Sequence, residues 1–134
     1  MCRERNIETP EGVIPQIARG FGGGIGNTGS VCGGVAGGVM AIGLARGPGE
    51  TMEEALQEFE IPGELRRRFE AEMGALECRA LTGADLSTKA GVEGFMASDI
   101  PVRVCHRAVR TAYRLALELL DEASSEAPKP DGAD

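Results

Sequence analysis

The sequence predicts an all-α fold: a small helical bundle with a glycine-rich loop and a buried helix that carries a cysteine. Three observations lead there. In the last third of the chain Val102, Cys105, Val109, Ala112, Ala116 and Leu119 recur at spacings of three and four, the period of an amphipathic helix. Helix punctuation recurs along the chain, with Thr9-Pro10 as a start, Gly47-Pro48-Gly49 and Gly74 as stops, and Ser98 or Asp99 ahead of Pro101 as a second start. Between these signals runs GFGGGIGNTGSVCGGVAGGVMAIGLARG, Gly20 to Gly47, which is all glycine loop before Cys32 and turns apolar after it.

Taken in order, Met1 to Asn6 reads as the tail of a helix whose beginning is absent. Thr9 caps a helix with Pro10 at its first position, and Val13, Ile14, Ile17 and Ala18 form its apolar face. Gly22, Gly23, Gly24, Gly26 and Gly29 crowd into a loop that needs positive φ or close backbone approach. A helix then runs from about Ser30 to Ala45, with Ser30 or Thr28 as its cap. Its glycines, Gly33, Gly34, Gly37 and Gly38, each cost roughly 1 kcal/mol of helix propensity relative to alanine. Close approach of another backbone, or room for a bulky cofactor beside Cys32, would offset that cost. A helix from Met52 to Glu60 is interrupted at Pro62-Gly63 and resumes from Glu64 to Met73, burying Leu56, Phe59, Leu65 and Phe69. Ala75 to Leu81, with Cys78, reads as irregular, and Thr82 to Thr88 as turn chemistry. Ala90 to Ala97 makes one or two turns, and the last helix spans about Val102 to Glu122 with Cys105 in its first turn. The expected organisation is one helical domain over residues 1–123 and a disordered tail over 124–134.

Composition narrows the function classes. At 134 residues the chain can build one core without staples, and with 4% aromatics and no Trp that core must be aliphatic. A net charge of −7 argues against nucleic acid. Arg66-Arg67-Arg68 and Arg103, Arg107, Arg110 and Arg114 lie among carboxylates or on helical spacing, so they read as solvated helix faces. No apolar run is long enough to span a membrane and no signal peptide is visible, so the expected compartment is the cytoplasm, where thiols stay reduced.

Four cysteines, Cys2, Cys32, Cys78 and Cys105, then point to metal, redox work or packing. No CxxC or CxxCH occurs, which argues against a zinc ribbon, a thioredoxin-type motif and covalent haem attachment. The plain alternative is that these are small buried hydrophobes. Cys32 and Cys105 fall at predicted helix N-termini, where free N–H groups and the helix dipole favour a thiolate, the form that iron, zinc and disulfide exchange all need. Cys78, in irregular chain, is placed where free N–H groups can also bond sulfur.

The run GFGGGIGNTGSVCGGVAGG, the segment Cys78-Arg79-Ala80-Leu81-Thr82-Gly83 and the pair Val104-Cys105 together resemble the C_GCAxxG_C_C family, small proteins grouped by four cysteines and a CGAxxG motif and assigned redox activity. Cys32-Gly33-Gly34-Val35-Ala36-Gly37 matches that motif with Gly34 in place of alanine, and the likeness covers roughly Val13 to Leu120. A similar domain occurs in split-Soret cytochromes, whose haem part has no counterpart here. The resemblance implies a cytoplasmic helical domain that binds an iron–sulfur cluster or performs thiol redox chemistry. It carries over to Cys32, Cys78 and Cys105. The family's first cysteine lies further ahead of the motif than Cys2, which is a candidate fourth metal ligand.

Other motifs carry less. Gly22-Gly23-Gly24-Ile25-Gly26 is like a phosphate loop, but no Lys-Ser/Thr follows and no strand precedes it, so Gly23 and Gly24 read as cofactor-lining loop residues. His106, the only histidine, is turned about 100° from Cys105 on a helix and should face away. Glu70, Glu72 and Glu77 form no metal-like spacing and read as a solvated face. The expected function is electron transfer or cluster carriage by an iron–sulfur cluster or other thiolate-bound metal on Cys32, Cys78 and Cys105. The alternatives are a thiol–disulfide redox protein without cofactor and a cofactor-free interaction module. A redox partner protein is implied, and the Gly33/Gly37 and Gly34/Gly38 stripe should receive another helix, from this chain or from a second copy in a homodimer.

Overall fold

The computed structural model describes residues 1–126. The chain forms α1 (Val13–Ala18), a tight turn at Arg19–Phe21, α2 (Gly22–Ile25), α3 (Gly33–Arg46), α4 (Met52–Glu58), α5 (Glu60–Met73), α6 (Cys78–Thr82), α7 (Lys89–Met96) and α8 (His106–Glu126). A π-helical turn, Pro101–Cys105, leads into α8. Among the described residues there is no strand, and the isolated pairing of Val31 with Glu77 is the extended contact. The all-α expectation holds.

The core is three helices deep. Val35 and Ile42 of α3, Leu65 and Phe69 of α5, and Ala108, Ala112, Leu115, Ala116, Leu119 and Leu120 of α8 form one buried cluster. Small residues set how closely its helices approach. A Cβ on Gly34 would lie 3.3 Å from the Ala108 carbonyl oxygen and the Val109 Cα, and one on Gly38 would lie 2.8 Å from Leu65 Cδ2. Glycines on α3 therefore face Ala108 and Ala112 on α8, and small residues on both helices let an aliphatic core with little aromatic bulk pack closely. The expected close approach is met on the Gly34/Gly38 side by this chain's own α8. Gly37 has nothing within 4 Å, because it points into a groove lined by Met1, Ala41, Val109 and Tyr113.

Several boundaries differ from expectation, each for a local reason. The cap of α3 is Cys32 itself rather than Ser30 or Thr28; the Thr28 hydroxyl is spent on the Gly24 and Ile25 carbonyls, at 2.7 and 2.9 Å. The first helix starts at Val13, after Gly12 at φ 76, rather than at Pro10. The interruption after α4 falls at Phe59, and Pro62 sits in the first turn of α5, where a missing N–H costs little. Cys78 opens a short helix rather than lying in irregular chain. Ser124 and Ser125, assigned to the tail, continue α8, with their hydroxyls donating to the Leu120 and Glu122 carbonyls. The remainder of the expected tail, residues 127–134, lies outside the described residues.

The predicted apolar stripes were partly wrong. Leu65 and Phe69 are buried as expected, but Leu56 and Phe59 are 57% and 70% exposed. On the last helix Val102 and Val109 are exposed. The π-helical turn inserts an extra residue per turn, which rotates Val102 off the face that α8 presents to the core.

The solvated-face reading of the arginines fits the ion pairs. Arg66 pairs with Glu70, Arg67 with Glu64, Arg68 with Glu64 and Glu122, and Arg114 with Glu72 and Glu118. No helix among the described residues is long and apolar enough to cross a membrane.

Candidate functional site

The site is built on a turn of reversed hand. Gly23, Gly24, Ile25, Gly26 and Asn27 have φ of 64, 71, 61, 61 and 64, five successive left-handed residues that form α2 and its exit. Glycine adopts this conformation freely, but Ile25, β-branched, does so only under strain. Hydrogen bonds from Gly29 N–H to the Gly23 carbonyl and from Ser30 N–H to the Gly24 carbonyl, both 3.0 Å, tie the turn to the extended residues that follow.

Those extended residues bring two cysteines together. Cys32 N–H donates to the Leu76 carbonyl at 2.8 Å, and Cys78 N–H donates to the Ser30 carbonyl at 2.7 Å. The two bonds flank the Val31–Glu77 pair. Side chains alternate across such a pairing, so Cys32 and Cys78 share a face as diagonal neighbours. Gly24 packs against that face: a Cβ there would lie 2.7 Å from the Cys78 Cβ and 2.5 Å from the Ser30 carbonyl oxygen. Gly23 does not reach the thiols, since the space beside it is taken by the Asn27 side chain.

Cys105 arrives from the other end of the chain. α6, which begins at Cys78, packs on both α2 and the π-helical turn that ends at Cys105. The thiols of Cys32, Cys78 and Cys105 are all half-buried. They also act on one another electrostatically. Burial pushes the Cys78 thiol up, a charge on Cys32 pushes it further, and a hydrogen bond from Thr82 pulls it partly back. Burial pushes Cys105 up as well, followed by the charges of Cys78 and Cys32. A Cys105 thiol lowered by a helix dipole, as its expected place in a first turn required, is therefore not found. The helix already begins at Ile100, and the His106 N–H is bonded to the Pro101 carbonyl, so the free N–H groups lie upstream of Cys105.

The other candidates stand apart. Cys2 borders an open groove with Arg3, Ile7, Glu8 and Pro10. His106 is exposed, as expected of a residue that faces away. Thr82 is the neighbour of the thiols that the sequence did not single out: its hydroxyl donates to the Cys78 carbonyl at 2.7 Å and accepts from Ala84 N–H at 3.2 Å, and it acts to lower the Cys78 thiol. The signal was its place four residues after Cys78, one helical turn on.

The arrangement favours some chemistries over others. Among the described residues no three His, Cys, Asp or Glu side chains form a ready site for one metal ion. A single tetrahedral metal, at about 2.3 Å from each sulfur, demands sulfurs about 4 Å apart. Diagonal neighbours across an antiparallel pair stand about 7–8 Å apart, beyond the Cα separation of up to about 6.8 Å that a disulfide tolerates. An iron–sulfur cluster shares its thiolates among several irons and spreads them farther. An all-cysteine donor set of three thiols suits its donor preference.

With this geometry described, comparison with known proteins places the chain. Residues 1–119 match the model of the family described as "Putative redox-active protein (C_GCAxxG_C_C)". No curated protein and no solved structure matches.

Proposed function

We propose that this chain, a member of the C_GCAxxG_C_C family, binds an iron–sulfur cluster through Cys32, Cys78 and Cys105 and serves in electron transfer or cluster carriage, with a redox partner protein and a place in the cytoplasm. The observation that carries the reading is that half-buried Cys32 and Cys78 share one face of the Val31–Glu77 bridge beside the left-handed turn, with half-buried Cys105 near enough that their charges add to burial in raising its thiol. A bound cluster would supply one-electron chemistry. The chain's own residues would do the rest. Cys32, as the cap of the fourteen-residue α3, stands beside the first-turn N–H groups of Gly33, Gly34 and Val35, which have no partner within the helix. Such amides stabilise sulfur charge and raise a reduction potential. Gly24 lets the backbone close on Cys78, and the nearby Thr82 hydroxyl favours its thiolate. Cys32, Leu76 and Leu81 all pack against the buried core, which limits solvent access to that side of the site.

The test is anaerobic reconstitution with iron and sulfide, followed by a visible spectrum. Absorption that is lost or weakened in Cys32→Ser, Cys78→Ser and Cys105→Ser, and least changed in Cys2→Ser, supports the reading. A colourless protein that loses two free thiols on mild oxidation would replace it with thiol–disulfide chemistry. A colourless protein with unreactive thiols would leave a cofactor-free module.

A further inference from the structure

The end of the molecule away from the thiols carries an uncovered apolar face. The seven-residue α4 buries none of its side chains. Met52, Leu56 and Phe59 are 77%, 57% and 70% exposed. At spacings of four and three they form one stripe. An isolated helix of this length does not hold in water, and here it is held by a capping box between Thr51 and Glu54 and by the Arg46–Glu58 ion pair. Three large apolar side chains at this exposure present roughly 400 Å² of apolar surface, the size at which patches mark contacts.

Beside the stripe lies a hole. Val39, Ile42, Gly43, Gly47, Pro48, Ala55 and Pro62 line an apolar cleft of about 360 Å³, with Phe59 on its rim. A projecting stripe next to a receptive cleft is the pattern of a two-fold contact, in which each copy offers both parts. Charge agrees. Glu50 and Glu53, at the start of α4, have no ion-pair partner among the described residues, while Arg66 and Arg67 stand on the exposed face of α5 with only their own helix's Glu70 and Glu64 as partners. Phe59 between the two helices keeps helical φ and ψ of −74 and −19, so α5 follows on from α4. Antiparallel pairing centred on Phe59 therefore sets residues 50–53 of one copy against residues 65–68 of the other, where Arg66 and Arg67 stand.

We propose that a second copy of this chain covers the face: the α4–α5 junction packs antiparallel on the partner's with Phe59 at its centre, the Leu56 and Phe59 side chains enter the partner's cleft, and Glu50 and Glu53 meet the partner's Arg66 and Arg67. Two such patches give roughly 800 Å², and the cleft walls they enter add to it, against the roughly 1,000 Å² that a specific contact needs. Arg103, Arg107 and the thiols lie at the other end of α3 and stay outside the contact.

Sedimentation of the full chain across a concentration series tests this. The expected result is a dimer for the natural sequence, at least tenfold weaker association for Leu56→Asp and for Glu53→Arg, and recovery in the Glu53→Arg, Arg67→Glu double variant. Far-UV circular dichroism checks that helix content persists, and Glu53→Arg, a solvent-exposed change, keeps the test valid if Leu56→Asp unfolds α4. A natural chain that stays monomeric at high micromolar concentration overturns the proposal, whatever else then covers the stripe. So does a dimer that both substitutions leave unchanged.

Discussion

Cys32 and Cys78 stand diagonally on one face of the bridge that pairs Val31 with Glu77, each held by its own backbone N–H. The bond from Cys32 N–H to Leu76 and the bond from Cys78 N–H to Ser30 fix the two Cα atoms before any cofactor or oxidant acts. Mild air oxidation should therefore join Cys32 and Cys78 slowly, because closing a disulfide needs the backbone to move. Mass spectrometry of unreduced peptides after timed oxidation reads this. Rapid, complete formation of a Cys32–Cys78 disulfide would contradict the diagonal geometry.

The cradle at Gly24 is steric as well as conformational. Gly24→Ala places a methyl 2.5 Å from the Ser30 carbonyl oxygen and 2.7 Å from the Cys78 Cβ, at a φ of +71. It should cost about 2–4 kcal/mol and displace Cys78, cutting iron uptake on reconstitution. Gly26→Ala, at φ +61 with open space around the added methyl, should cost only about 1–2 kcal/mol and leave iron uptake intact. Chemical denaturation and iron analysis of the pair separate strain from site damage.

The two neighbouring glycines on α3 should respond in opposite directions. Gly37→Ala adds a methyl to open space on a helix and should stabilise by about 0.5–1 kcal/mol. Gly38→Val meets Leu65 at a position where even a Cβ stands at 2.8 Å, and should destabilise by about 1–3 kcal/mol. Melting temperatures of the two variants check the sign of each effect.

Acid should loosen the periphery before the core. The Arg46 hydrogen bonds hold the Glu58 carboxyl below its usual range, and Arg68 does the same for Glu64 and Glu122. A carboxyl depressed in the folded state contributes stability that is present above its unfolded value, about 4.3, and is lost as pH falls through the folded value. Stability should therefore fall below about pH 4, and Arg46→Ala should remove the part of that fall that belongs to α4. Thermal melts of both proteins between neutral and acid pH read the difference.

The thiols carry the reverse dependence. Burial holds Cys78 and Cys105 above the ordinary thiol value. A thiol raised in the folded state contributes stability that is whole below its unfolded value, about 8.5, and is lost as pH rises through the folded one. Apo protein should thus weaken in mild alkali, and alkylation of Cys78 and Cys105 should be slow near neutrality. Thr82→Val should push the alkylation midpoint of Cys78 higher still, while Thr82→Ser, which keeps the hydroxyl, should leave it in place. An unmoved midpoint in Thr82→Val would remove Thr82 from the site.

The sequence by itself determined the helical class, the family likeness, the cysteines worth following and the stops at Gly47 and Gly74, which take φ of 70 and 87. These are local properties: periodicity, punctuation and the conformational freedom of glycine act within a few residues. Tertiary structure decided the rest. The Gly34/Gly38 side of α3, rather than Gly37, meets α8, because both sides are equally smooth in sequence and only the docking of Ala108 and Ala112 chooses between them. Leu56 and Phe59 fit the helical period yet stay exposed, because periodicity marks a face without saying what covers it. Cys105 fits a first turn, but the π-helical turn starts the helix earlier and burial raises the thiol. The gathering of Cys32, Cys78 and Cys105 depends on a left-handed turn, a bridge between segments some forty-five residues apart and the packing of α6 on the entry to α8. Contacts at that separation leave no local pattern in the chain, because their free energy comes from the closed loop and from the partner that meets it.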